Sequence, residues 1–369
     1  MKPRDSVTAT VPLLAGRATA KGTARHAERF AARRGPEFHR QLDRTLRVSA
    51  LGVGTYLGEC DDAEDARYEG VTRAALERGI SVFDTSINYR CQRSERVVGK
   101  AVRAAIADGL VRRDEVLVCT KGGYIPLEGN PPASREEYHA MVQREYYTTG
   151  IVVPEDVVAD AHSISPSFLA DQLRRSRENL GLETIDAYYI HNPEQQLDAI
   201  KPTELLDRLR DVFAMLELRC DAGDIARFGC ATWNGFRVAR GTRGHLELAE
   251  IVAAAREVGG EDHRFRVIQL PLNLAMPEAV RLPTQRVRNR DMPFLHAAVE
   301  LGVSVVTSAP LLQSRLASGL PPQVRDALPG FATDAQRALS FVAGLPVSTA
   351  LAGMRSITHL DENLAAFGE

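Results

Sequence analysis

Apolar positions along this chain come in short runs rich in β-branched residues, and longer stretches of helical periodicity separate them. The runs fall at 50–55, 81–84, 115–120, 185–190, 226–231, 265–270, 303–308 and 348–352. Their length and composition predict strands. Helical patterns lie between and after them, near 64–78, 94–108, 166–180, 204–222, 244–258, 291–302, 334–343 and 357–366. Several of these stop just before the next run at a glycine: Gly79, Gly181, Gly223, Gly259 and Gly302. Glycine tolerates the left-handed conformation that ends a helix. Strands alternating with helices predict parallel βαβ units with right-handed crossovers. Eight repeats point to a closed (β/α)8 TIM barrel, with an open doubly wound sheet as the structural alternative. Gly52-Val53-Gly54 lies inside the first run, so the glycine-rich dinucleotide turn of a Rossmann domain is absent.

Two segments break the rhythm. Residues 1–47 are polar, basic and weakly periodic, and are read as an N-terminal extension with a hairpin near 45–49. Residues 48–369 are then the barrel. Within it, about 122–164 form an insertion after the third strand, far longer than a usual barrel loop. The insertion holds Pro126, Pro131, Pro132 and Pro154 and four of the nine tyrosines: Tyr124, Tyr138, Tyr146 and Tyr147. It leaves the strand end that faces the mouth of a barrel, so it is expected to wall the substrate side.

Composition narrows the choice of partners. A chain of 369 residues, 44% hydrophobic, can bury a large core. A net charge of −2 favours neither nucleic acid nor an anionic membrane surface. Five cysteines without a CxxC spacing suggest free thiols in a reducing, cytoplasmic setting, and no metal site is expected. No stretch approaches the about 18 apolar residues of a membrane span. The N-terminus lacks the apolar core of a secretory signal. It is Arg- and Ala-rich, as some transit peptides are, but Asp5, Glu28, Glu37 and Asp43 oppose that reading.

Three of the runs finish on ionisable residues. Asp84 ends Ser81-Val82-Phe83 and stands five positions before Tyr89. Lys121 ends Val116-Leu117-Val118-Cys119-Thr120, and His191 ends Ile185-Asp186-Ala187-Tyr188-Tyr189-Ile190. In a parallel barrel these ends converge on one face. Tyrosine ordinarily titrates near pH 10, too high for efficient proton transfer at neutrality, and a neighbouring cation favours its phenolate. Lys121 can supply that cation, Asp84 can hold Lys121 charged, and His191 can orient a substrate oxygen or relay a proton.

Phe83-Asp84-Thr85-Ser86 followed by Tyr89, then Ser94-Glu95 and Gly99, resembles the second-strand signature of the aldo-keto reductase family. Thr120-Lys121, Tyr189-Ile190-His191, Gln269 with Asn273, Pro310-Leu311, and Gly353-Met354-Arg355-Ser356 with Glu362-Asn363 fit the same pattern. The resemblance covers about 44–367. It implies a TIM barrel that binds an extended nicotinamide dinucleotide, NADPH in preference to NADH. Tyr89 would be the proton donor or acceptor, Lys121 and Asp84 its tuning pair, and His191 the substrate orienter.

The resemblance also implies cofactor contacts. Gln269, with Thr232 as a further candidate, would meet the nicotinamide carboxamide. The segment holding Leu311, Gln313 and Arg315 would wrap the pyrophosphate. Gly353, Arg355 and Ser356 would hold the 2′-phosphate end, where a helix N-terminus suits an anion. Glu362 and Asn363 would meet adenine. This chain departs from the family's pattern in reading Gly229-Cys230-Ala231-Thr232-Trp233-Asn234 after the fifth strand, and in placing Ser308 where an aromatic usually stacks on nicotinamide. Trp233, Tyr56 and Tyr124 are the candidate substrate contacts. The implied activity is interconversion of a carbonyl (aldehyde, ketone or sugar) and an alcohol. The alternatives are a nicotinamide-binding regulatory or assembly subunit with little turnover, and an NAD(P)-dependent sugar dehydrogenase.

Overall fold

The computed structural model describes residues 12–367. The first part of the expected extension, residues 1–11 with Asp5, lies outside the described residues.

Eight parallel strands close into a barrel. After a hairpin of β1 (His39–Leu42) and β2 (Leu46–Ser49), the chain enters the barrel at β3 (Leu51–Gly54) and β4 (Val82–Asp84). It continues through β5 (Leu117–Gly122), β6 (Ala187–His191), β7 (Phe228–Ala231) and β8 (Phe265–Pro271). A second small hairpin, β9 (Gln285–Val287) with β10 (Arg290–Met292), precedes the last barrel strands, β11 (Ser304–Ser308) and β12 (Thr349–Gly353). The ring shuts because β12 pairs with β3 and β11 with β8. Closure excludes the open doubly wound sheet.

Helix α1 (Ala20–Arg34) lies in the N-terminal segment, which weak periodicity had not marked as helical. Arg25 and Arg29 bind it to Asp114 and Glu115 ahead of β5. The barrel helices include α2 (Asp62–Glu77) and α3 (Arg93–Ala107). Asp61 caps α2 by accepting from the Glu64 amide at 2.7 Å. In the insertion, α4 (Arg135–Val142) runs into one wide turn, Gln143–Tyr147. Then come α5 (Pro166–Leu180), which opens on proline and stops at left-handed Gly181, and α6 (Pro202–Asp221). The C-terminal half adds α7 (Leu248–Gly259), α8 (Glu278–Arg281), α9 (Phe294–Leu301), α10 (Pro322–Ala327), α11 (Asp334–Ala343) and α12 (Ile357–Leu364).

Strand parity sorts the side chains. On β5, Leu117 and Cys119 join the cluster inside the barrel, whereas Val116 and Val118 join the cluster facing the helices. On β6, Ala187 and Tyr189 face in and Tyr188 and Ile190 face out. Leu42, Leu46 and Val48 of the first hairpin belong to the inner cluster and stopper one end of the barrel. Because side chains alternate along a strand, Asp84, Lys121, His191 and Gln269 continue the inward rows of Val82, Cys119, Tyr189 and Val267. Each is the last or nearly the last inward residue before its strand leaves the barrel. Among the described residues, no helix is long and apolar enough to cross a membrane.

Candidate active site

A pocket of about 410 Å³ opens at the carboxyl ends of the strands. That volume suits a small-molecule site. Asp84, Tyr89, His191 and Gln269 line it, with Lys121 buried behind them. The Lys121 ammonium donates to Asp84 Oδ1 and to the Thr85 carbonyl, the latter at 2.7 Å. Gln269 Nε2 donates to the other carboxylate oxygen, Asp84 Oδ2, at 2.8 Å. Lys121 Nζ lies 4.8 Å from the centre of the Tyr89 ring.

Burial opposes every charge here. Burial pushes the Asp84 carboxyl up, against the Lys121 ammonium and the Gln269 amide. Lys121 loses solvation, yet Asp84 and Tyr89 raise its pKa and hold the ammonium charged. Tyr89 corrects the expectation drawn from its neighbours. Lys121 does pull its pKa down, but burial outweighs that pull and the net direction is upward. The resting phenol is protonated and can donate. Burial, with Lys121 and His162 adding to it, keeps His191 neutral and far below the ordinary histidine range.

A polar layer supports His191. Ser86 Oγ lies 3.3 Å from its Nδ1, and His162 Nε2 lies 2.7 Å from its carbonyl oxygen. The Tyr124 ring meets the His191 ring edge-on at 5.0 Å. Asn192 Nδ2 donates to the Tyr124 hydroxyl at 2.8 Å, and that hydroxyl donates to Gln195 Oε1 at 2.6 Å. Asn192 is left-handed at φ 47°, a conformation asparagine tolerates better than most residues. Asn88 and Asn192 line the pocket and were missed in the sequence. Each sits beside a recognised residue, and only its position beside Tyr89 or His191 marked it.

The remaining sequence candidates divide. Tyr56, Tyr124, Thr232, Trp233, Ser308, Leu311, Gln313 and Gly353 all line the pocket. Tyr56 and Trp233 are exposed at its rim, and the Tyr56 ring packs edge-on against Tyr89 at 5.1 Å. Glu194 holds the Trp233 loop: its Oε1 accepts from the amides of Trp233, Asn234 and Gly235 at 2.6, 2.9 and 3.3 Å. Arg315 and Arg355 are exposed and Ser356 is half-buried, and all three lie outside the lining. Arg355 reaches the buried carboxylate of Glu64 at 3.3 Å, and Ser356 caps α12 by accepting from the His359 amide. Glu362 and Asn363 are not in the lining, and Asn363 is buried. No ring from β11 enters the pocket at Ser308; the aromatic members of the lining are Tyr56, Tyr89, Tyr124, His191 and Trp233.

The insertion also differs from expectation. Of its four tyrosines only Tyr124 lines the pocket. Tyr146 is fully buried in a separate small core with Ile125, Val142, Val152 and Phe168, and Tyr138 and Tyr147 pack against that core. Aromatic residues in a long loop thus served its own packing, which periodicity could not distinguish from a ligand wall.

The donor set suits an elongated anionic cofactor. After β11, Ala309, Leu312, Gln313 and Ser314 are left-handed, with φ of 49°, 46°, 52° and 71°. Turns of this type gather successive backbone N–H groups on one side, which favours an anion. Gly353 ends β12 at the pocket wall beside the start of α12. Gln269 also lines the pocket, and its side-chain carbonyl oxygen is left over from its bond to Asp84.

A closed barrel with a buried lysine–aspartate pair behind a mouth tyrosine frames a pocket of small-molecule size. Residues 50–251 match the model of the Aldo/keto reductase family, and the chain belongs to that family. Aldo-keto reductase family 1 member C23-like protein of Equus caballus is 23% identical over 230 residues, 61% of this chain and 50% of the horse protein. The chain therefore spans about half the length of such curated relatives. D-threo-aldose 1-dehydrogenase of Pseudomonas sp is 30% identical over 152 residues, 41% of this chain and 42% of that enzyme. Among solved structures, an aldo/keto reductase from Klebsiella pneumoniae in complex with NADP and acetate shares the fold. Its TM-score is 0.60 at 19% identity, covering 90% of each chain.

Proposed function

We propose that this protein is an NADPH-dependent oxidoreductase that interconverts a small carbonyl compound and its alcohol, with Tyr89 as proton donor in reduction. The observation that carries the proposal is the convergence of Asp84, Lys121, Tyr89 and His191 at one pocket. NADPH, when bound, supplies a hydride to the carbonyl carbon. The NADP held by the Klebsiella relative supports that cofactor.

The protein's part is placement and proton management. As negative charge develops on the carbonyl oxygen, Tyr89 donates its hydroxyl proton. Burial keeps that proton in place at rest. The fixed positive charge of Lys121 stabilises the phenolate left behind, and Asp84 keeps Lys121 ionised and aimed. Neutral His191 lines the pocket, and with its ring proton on Nε2 it offers the substrate oxygen a second hydrogen bond. In the reverse direction the same phenolate takes the alcohol's proton. Gln269 and Thr232 would hold the carboxamide end, the turn at 311–314 the pyrophosphate, and Arg355 the 2′-phosphate.

A sugar dehydrogenase reading has its own support. Asn88, Asn192 and Tyr124 line the substrate side with polar groups, and the aldose dehydrogenase relative shares 30% identity over its matched part. The test is a panel of aldehydes, quinones and aldoses, each run in both directions with NADPH or NADP+ and followed at the nicotinamide absorbance. Turnover that vanishes in Tyr89→Phe supports the enzyme reading. Tight NADPH binding with no turnover on any substrate would favour the regulatory subunit instead.

A further inference from the structure

Two thiols meet beside Tyr89. Cys60 Sγ and Cys91 Sγ are 3.5 Å apart. Cys60 is half-buried in the loop between β3 and α2, and Cys91 is buried in the turn between β4 and α3. The other three cysteines are buried as well, so Cys60 is the most accessible thiol.

The local backbone holds the pair in place. Arg90, Cys91 and Gln92 are all left-handed, with φ of 48°, 54° and 70°. None is glycine, and three such residues in succession are costly unless their surroundings impose the shape. Arg90 imposes it from one side, donating to the Glu59 carbonyl at 2.8 Å and to Asp65 at 2.6 Å. Gln92 does so from the other, donating to the Leu127 carbonyl at 3.0 Å. The same Arg90 bonds tie the turn to the loop that carries Cys60. This strained turn, built without glycine, sets one cysteine against a second.

We infer that Cys60 and Cys91 form a modification site for small disulfides, closing reversibly into a disulfide that ties the Tyr89 turn to the loop carrying Tyr56. The chemistry balances with an external disulfide RSSR as oxidant. The Cys60 thiolate attacks one sulfur of RSSR, forms a mixed disulfide and expels RS⁻. Cys91, deprotonated, then attacks Cys60 Sγ and expels the second RS⁻. Both leaving groups are protonated, giving one protein disulfide and two RSH. Burial pushes the Cys91 thiol up to about 12, so accessible Cys60 attacks first and Cys91 resolves. A disulfide needs about 2 Å between sulfurs, so closure draws the two loops together by the difference. Tyr89 lies two residues before Cys91 and shares the moving turn.

The experiment treats the full-length protein with oxidised glutathione and reads its covalent state by intact and peptide mass. The expected product is 2 Da lighter, carries a Cys60–Cys91 cross-linked peptide and reverts with dithiothreitol. Cys91→Ser should stop at a stable glutathione adduct on Cys60, and Cys60→Ser should remain unmodified at Cys91. A stable glutathione adduct on wild-type Cys60, or no reaction there, would overturn the proposal. Because mass reports the disulfide directly, this result stands apart from the catalytic reading. The effect on turnover rests on that reading: a misplaced catalytic group is expected to lower kcat roughly tenfold or more in the oxidised protein. Cys60→Ser should keep its rate under the same treatment, and an oxidised wild type of unchanged rate would remove the link to Tyr89 while leaving the disulfide.

Discussion

Gln269 donates its side-chain amide to Asp84 Oδ2 at 2.8 Å, so the carboxylate that pairs with Lys121 is gripped from both oxygens. Strands β4 and β8 are not neighbours in the barrel; the bond crosses its interior. A residue expected only to touch cofactor therefore also sets the electrostatics behind Tyr89. Gln269→Leu is expected to weaken NADPH binding and lower kcat together. A change confined to the Kd for cofactor would show that the bond to Asp84 has no catalytic consequence.

Tyr89→Phe removes the proton and keeps the ring. Loss of a positioned proton donor typically costs ~10²–10⁴-fold in rate. NADPH affinity, read by fluorescence titration, should stay within about twofold by the same logic of a contact made only in the transition state. A variant that kept most of its kcat, with chemistry rate-limiting, would remove Tyr89 from the role.

Asp84→Asn strands a buried ammonium. Removing one partner of a buried pair typically costs about 3–5 kcal/mol, more than removing both. Asp84→Asn should therefore melt well below wild type, and Asp84→Asn with Lys121→Met should recover part of the loss. Calorimetry on the two variants decides it; an equal or lower Tm for the double variant contradicts the pairing account.

Arg355 is paired with buried Glu64 at 3.3 Å and stands just past Gly353. Arg355→Ala is expected to raise the Kd for NADPH more than that for NADH. Equal losses would exclude a 2′-phosphate contact and leave Arg355 as Glu64's counter-ion.

Acid should destabilise the protein through its buried histidines. Burial lowers His26 to about 3 and His39 to about 4, against an ordinary 6.5. The unfolded chain then binds more protons than the fold between about pH 6.5 and 4, so stability falls as pH drops through that window. Among the described residues neither His26 ring nitrogen has a hydrogen-bond partner. His26→Phe should be at least as stable at pH 7.5 and lose less Tm between pH 7.5 and 5. A parallel drop in both proteins would clear His26 of the effect.

Tyr146→Ala should loosen the insertion and leave the pocket intact. Truncating a fully buried aromatic typically costs about 3–5 kcal/mol. Limited proteolysis should cut faster within 128–158 while KM changes little. A large rise in KM would mean that the small core also shapes the substrate side.

The order of strands and helices was legible in the chain because period and punctuation are local properties. Apolar runs, glycine stops and prolines mark an element wherever it ends up. Asp84, Lys121 and His191 were legible for the same reason, since each closes a run and alternation then fixes its face. Other features depended on contacts between distant segments. Nothing local distinguishes Tyr146, which packs on Phe168, from Tyr124, which lines the pocket. The sequence marks Arg355 as a candidate phosphate partner, and only the fold shows that it also pairs with Glu64, 291 residues away in sequence. The direction of the Tyr89 shift was also a tertiary outcome. Its sequence neighbours named the cation, but only the packed barrel set how much water Tyr89 lost, and that loss outweighs Lys121.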